Sequence, residues 1–163
     1  MKTISIILIF LSFFCWKPPI EIIEANSQKW YSGVADGGIN TRYSLTLIVN
    51  KSSDKLKIKG LYIDNEILDV QVYRKQEKSS FTSDFGKGDT IIVKASRTEI
   101  PNHSNRKKTE KSKFPANNIY SDEFIEKALQ KCNGEGILFF SIKGKEKVLC
   151  IDKFKKLKNK YMP

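Results

Sequence analysis

The chain has 163 residues, 40% hydrophobic and 29% charged, a composition that fits a single globular domain and excludes a chain too polar to bury a core. Lys and Arg (29) outnumber Asp and Glu (18), for a formal net charge of +11, which points to anionic partners. One histidine and three cysteines, with no Cys-x-x-Cys or Cys/His spacing, exclude the common zinc motifs, and no cofactor is expected.

Lys2 precedes an apolar run from Ile4 to Phe14, broken only by Ser5 and Ser12 and closed by Cys15, Trp16, Lys17, Pro18 and Pro19. This is the layout of a secretory signal. The run is too short for a permanent helical span, which needs about 20 apolar residues. Ala25 and Ser27 meet the small-residue preference of signal peptidase and put the mature start at Gln28. A cut after Ala25 is the near equivalent, so residues 1–25 are assigned to the signal. The alternative is acylation of Cys15 at the end of the apolar run, although Phe13 and Phe14 are larger than the residues that usually precede a lipidated cysteine. Residues 16–28 would then form a tether. The expected location is the periplasm or the exterior, released or membrane-anchored through Cys15.

Beyond the leader the chain reads as strands and turns. Lys29–Val34 is a short strand, and Tyr43–Val49 is rich in β-branched and aromatic residues. After the turn cluster Asn50–Asp54, apolar Leu56, Ile58, Leu61 and Ile63 mark the next strand. Its alternation slips at Gly60, which predicts a bulge. Asp64–Asn65–Glu66 is a tight connection into a third strand carrying Leu68, Val70, Val72 and Tyr73, and the three strands are expected to form a meander. The polar stretch from Ser79 closes on Gly86–Lys87–Gly88–Asp89, and Thr90–Ala95 follows as a strong strand. Residues 98–118 form a long irregular segment. Ser121 caps a short helix that places Asp122 and Glu123 at its positive end, and Asn133–Gly134 ends it. Ile137–Ile142 and Val148–Ile151 flank Lys143–Gly144–Lys145–Glu146, a hairpin turn.

The expected fold is all-β: an immunoglobulin-like β-sandwich of about seven strands with one short helix, over residues 26–154, with a basic, fraying tail at 155–163. A small barrel is the alternative. Cys132 precedes one strand of the last hairpin and Cys150 lies on the other. They are a candidate disulfide in an oxidising compartment, or two buried thiols.

Charge is concentrated. Arg97, Arg106, Lys107, Lys108, Lys111 and Lys113 stand against Glu99 and Glu110, and the tail holds Lys153, Lys155, Lys156, Lys158 and Lys160 with no acid. Such a surface suits anionic lipid, an acidic glycan or another envelope protein. Nucleic acid is disfavoured for an exported chain, and a merely solvated face is the plainer alternative.

Trp30–Tyr31–Ser32–Gly33, Gly37–Gly38, Tyr43–Leu47, Asp54–Leu56, Leu61–Ile63, Lys87–Ile91 and the hairpin from Gly136 to Lys145 resemble the corresponding stretches of a group of small exported proteins of Gram-negative bacteria. Many of these are lipoprotein-like. The resemblance spans most of residues 29–154 and implies a β-sandwich in the envelope. It implies no catalytic residue.

Direct chemical signals are sparse. His103, in the irregular segment, would have to serve alone in any triad or metal site. Gly33, Gly37 and Gly38 do not form a phosphate-binding glycine motif. Asp64, Glu66, Asp69, Asp84 and Asp89 lack the order of a calcium loop. The expected function is therefore a non-enzymatic binding or structural module with a basic contact surface. Two alternatives are a carbohydrate- or protein-binding domain using exposed aromatics among Trp30, Tyr31, Tyr43, Tyr62 and Tyr73, and a carboxylate-dependent hydrolase. No catalytic, cofactor-binding or metal-ligating residue is assigned.

Overall fold

The structure, a computed structural model, describes residues 17–33, 38–75, 84–99 and 120–162. In chain order these contain β1 (Ile20–Tyr31), β2 (Ile39–Val49), β3 (Leu56–Ile63), β4 (Glu66–Leu68), β5 (Gln71–Arg74), β6 (Thr90–Glu99), α1 (Asp122–Lys131), β7 (Gly136–Ile142), β8 (Lys145–Ile151), β9 (Lys155–Lys156) and β10 (Lys160–Tyr161). The described residues are mainly β, with two sheets and one helix. The first sheet has the order β10-β1-β2-β6-β5, with β9 also on β1, and the second has the order β4-β3-β7-β8.

Alternation builds the core between the sheets. On β2, Tyr43, Leu45, Leu47 and Val49 are buried, while Arg42, Ser44, Thr46 and Ile48 face the other way. On β6, Ile91, Val93 and Ala95 are buried in the same manner. These side chains pack with Leu56, Leu61, Leu138, Phe140 and Ile151 of the second sheet in one continuous cluster. Each large apolar side chain sealed there contributes about 1.5–3 kcal/mol.

The second sheet is covered on both faces. β7 is buried from Gly136 to Ser141 because Leu138 and Phe140 enter the core between the sheets, while Ile137 and Phe139 meet a separate cluster with Tyr120, Ile125 and Ala128. A strand covered on both faces needs no polar alternation. Ser121 caps α1 as expected, its Oγ accepting from the Phe124 N–H at 3.3 Å. The C-cap Cys132 is bonded to Cys150 on β8. Gly134 makes the turn between them possible: a Cβ there would lie 2.1 Å from the Ile151 carbonyl oxygen. In the β7–β8 hairpin, Lys143 and Gly144 both have positive φ, 49° and 78°, the twist a two-residue connection needs.

The arrangement departs from expectation in four places. β1 begins at Ile20, well before Lys29, so the assigned boundary after Ala25 falls inside a strand. Ile20 is 2% exposed, and Asn50 donates from its backbone N–H to the Pro19 carbonyl at 2.9 Å and from its side chain to the Pro18 carbonyl at 2.7 Å. The expected meander is absent, because β2 and β3 belong to different sheets. The expected third strand is two: β4 pairs with β3, then the chain crosses at Asp69–Val70 and β5 pairs with β6. The tail does not fray, since β9 and β10 run parallel to β1 and are secured by Leu157 N–H to Ser27 O and Met162 N–H to Tyr31 O. The expected bulge at Gly60 is present as a shift of the β3–β7 register between Ile58 and Gly60.

Candidate functional site

The face of the first sheet turned away from the core carries the distinctive surface. Strand pairing sets its rows. Trp30 lies opposite Asn40, and Asn40 opposite Thr98. Gln28, Arg42 and Ser96 form the next row, then Asn26, Ser44, Lys94 and Gln71, then Glu24, Thr46, Ile92 and Tyr73. On the other side of β1, Lys160 lies opposite Trp30. Lys160, Trp30, Arg42, Lys94 and Tyr73 therefore form one diagonal stripe across the sheet, and from Trp30 onward each residue is one strand over and two positions along from the last.

Neighbours along the stripe interact. The Arg42 guanidinium carbon is 4.0 Å from the centroid of the Trp30 ring, and Lys160 Nζ is 4.7 Å from it. Lys94 Nζ is 4.4 Å from the centroid of Tyr73. Trp30 thus holds one cation from each adjacent strand, and Tyr73 holds a third. Arg42 and Lys94 are like-charged diagonal neighbours on adjacent strands, their backbone positions about 7–8 Å apart. Among the described residues neither they nor Lys160 has a carboxylate at ion-pair distance.

Trp30, Arg42, Lys94 and Tyr73 of the stripe line a cleft of about 760 Å³, with Lys160 outside it. Amides and hydroxyls including Gln28, Asn40, Ser44, Ser96 and Gln71 form much of the remaining wall, together with the acids Glu66 and Asp69, of which Glu66 is paired with Arg97. The cleft is internally braced. Trp30 Nε1 donates to Gln28 Oε1 at 3.0 Å, Asn40 Nδ2 to Thr98 Oγ1 at 2.9 Å, and Tyr73 OH to Gln71 Oε1 at 2.8 Å. Gln28 Nε2 also donates to the Lys158 carbonyl at 2.8 Å, which ties the C-terminal segment to this face. Tyr161, next to Lys160, stacks on Tyr31 with centroids 5.2 Å apart.

The residues singled out by sequence fall differently. Arg97, expected on the basic contact surface, is turned into the protein's own acids: 3.1 Å from Asp64, 3.3 Å from Glu66 and 3.8 Å from Glu99. Its partners Asp64 and Glu99 line a second cleft of about 600 Å³, together with Lys29, Tyr43, Glu135 and Lys156, among others. There burial raises the Tyr43 hydroxyl above the ordinary tyrosine range, and the Asp64 charge adds to the effect. Glu135 in turn accepts from the Phe154 N–H at 2.8 Å. Asp89 accepts from the Gly86 N–H at 2.8 Å and pairs with Arg74 at 3.6 Å.

Of the candidate aromatics, Tyr43 and Tyr62 are buried, and Trp30 is half-buried beside its two cations. Cys132 and Cys150 are disulfide-bonded. Cys15, His103, Arg106, Lys107, Lys108, Lys111 and Lys113 lie outside the described residues. Among the described residues, no three His, Cys, Asp or Glu side chains converge as a metal site, and no helix is long and apolar enough to cross a membrane.

Sequence reasoning missed Arg42 and Lys94. Each lies on a polar position of an alternating strand, a signal too common to single them out, and only the β2–β6 register makes them neighbours. The described residues define a mainly-β fold of two sheets and a covering helix, with a polar cleft that carries Arg42 and Lys94 on one open sheet face. No family model, curated protein or solved structure matches the chain.

Proposed function

We propose that the protein is an exported, non-enzymatic binding module of the cell envelope, and that the stripe on the first sheet is its contact surface for an anionic partner. The observation that carries this reading is the like-charged pair Arg42 and Lys94 on one open sheet face, held by Trp30 and Tyr73 and without a carboxylate partner among the described residues. Such an arrangement is electrostatically unfavourable until an anion enters it.

The leader layout and the Cys132–Cys150 bond both suit an oxidising compartment outside the cytoplasm. The position of β1 favours processing upstream of Pro18. Acylation at Cys15 leaves the strand whole, whereas a cut after Ala25 or Ser27 removes Ile20 from the core. The strand order supports an immunoglobulin-like sandwich: β1-β2-β6-β5 follows the A-B-E-D order, and β4-β3-β7-β8 the order C′-C-F-G. The short β9 and β10 are additions to that plan, and the shared architecture with the Gram-negative exported group rests on the same reading.

The test is retention on an immobilised polyanion across a salt series. Binding should weaken steadily as salt rises, because charges more than about 8 Å apart are screened at physiological ionic strength. The double variant Arg42→Ala, Lys160→Ala should bind at least about tenfold more weakly, equivalent to about 1.4 kcal/mol. Retention indifferent to salt and to both substitutions would reject the reading.

A further inference from the structure

We infer that the ligand of this cleft is an acidic polysaccharide, a chain of sugars bearing carboxylate or sulfate groups. The inference rests on the anion-binding reading above and specifies what carries the negative charge.

The Arg42 guanidinium carbon lies 4.0 Å over the Trp30 ring. Among the described residues no hydrogen bond or ion pair engages its N–H groups, and a guanidinium fork matches a carboxylate or sulfate in two parallel hydrogen bonds. Lys94 is the next position along the same diagonal and carries a second positive charge, and Lys160 adds one on the opposite side of Trp30. A ligand that meets all three must present acidic groups at intervals along a chain. Between the cations the cleft offers amides and hydroxyls, which both donate and accept hydrogen bonds as sugar hydroxyls do.

Two other polyanions fit less well. An acidic peptide would be expected to add as a strand along a sheet edge, but the β1 edge beside Trp30 is taken by β9 and β10, and Arg42 and Lys94 lie on β2 and β6, inside the sheet. An anionic bilayer is flat and favours protruding lysines beside exposed apolar side chains. Trp30, Arg42, Lys94 and Tyr73 instead line a concavity, and the exposed Tyr161 and Met162 lie at the C-terminal edge outside it.

The experiment is calorimetry of the exported, processed protein against a polyuronate oligosaccharide, a sulfated glycosaminoglycan, a neutral glucan, polyglutamate and phosphatidylglycerol vesicles. Binding to either acidic saccharide, with none to the glucan, is expected. The two saccharide arms distinguish carboxylate from sulfate as the source of charge. Arg42→Ala and Lys94→Ala should each weaken saccharide binding about tenfold or more. Arg42→Lys, which keeps the charge and loses the fork, should weaken it measurably. Lys131→Ala, on the helix at the far side of the second sheet, should leave it unchanged. Circular dichroism confirms folding of each variant. Binding to polyglutamate or vesicles without binding to either saccharide would overturn the inference while leaving the anion-binding reading intact. Binding to the glucan as strongly as to the acidic saccharides would also overturn it. Failure of every polyanion to bind would overturn both.

Discussion

Ile20, the first residue of β1, pairs with Val49, the last of β2, and both side chains are sealed in the core between the sheets, at 2% and 0% exposure. The strand therefore gains from residues that read as the end of a secretion leader. Truncating Ile20 to Ala should cost about 2–4 kcal/mol, read as a lower midpoint in urea. Intact-mass spectrometry of the exported protein should find an N-terminus at or before Pro18. A chain starting at Asn26 or Gln28 would show that the mature fold does without the first half of β1.

Arg97 gathers Asp64, Glu66 and Glu99, which hold 66%, 47% and 52% of their side-chain exposure. Solvent screens such pairs, so Arg97→Gln should destabilise by only about 1 kcal/mol, with the difference shrinking in high salt. Because its donors are already committed, the same substitution should leave polyanion binding unchanged. Loss of binding in Arg97→Gln would move the contact surface towards the cleft lined by its partners Asp64 and Glu99.

The Cys132–Cys150 bond joins residues 18 apart and fastens the end of α1 to β8. Replacing both with Ala should cost about 3 kcal/mol by the chain-entropy estimate for a loop of this size. Hydrogen exchange should rise first in α1, because the helix layer loses its covalent tie while the core between the sheets is untouched.

Burial raises the hydroxyls of Tyr43, Tyr62 and Tyr120 above the ordinary tyrosine value of 10.0. In the unfolded chain these groups ionise near pH 10, whereas in the fold they keep their protons. Their contribution to stability is thus fully present below pH 10 and is lost as pH climbs above it. Thermal unfolding should be insensitive to these groups at neutral pH and fall progressively on the alkaline side. Tyr120 Oη is also buried without a hydrogen-bond partner among the described residues. Tyr120→Phe should therefore be neutral or stabilising by up to about 1 kcal/mol, and should flatten the alkaline decline.

Much of the local structure was legible because it depends on neighbouring residues. The β2 alternation, the slip at Gly60, the Ser121 cap and the Lys143–Gly144 turn all appear where residue type and spacing place them. What escaped depends on partners far along the chain. Ile20–Ala25 carries four apolar residues with Glu21 and Glu24 close behind an apolar leader, and its pairing with β2 is what marks it as strand. The tail is rich in lysine, and its order comes from backbone hydrogen bonds to β1, which lysine content conceals. For the site, Arg97 and the basic run after it formed the visible cluster, yet Arg97 is committed internally. The cations of the stripe, Arg42, Lys94 and Lys160, lie 52 and then 66 residues apart along the chain and become one surface only through registers that no local pattern encodes.

β1 also sets a distance. Ten residues of extended chain separate Ile20 from Trp30, about 33 Å at the usual rise. A domain moored to a membrane just ahead of Ile20 would carry the Lys160–Trp30–Arg42 end of its cleft at the tip of a rigid mast, clear of the lipid headgroups and facing whatever fills the space beyond them. The strand that completes the core would then be the boom that holds the cations out of reach of the anchoring membrane's own charge.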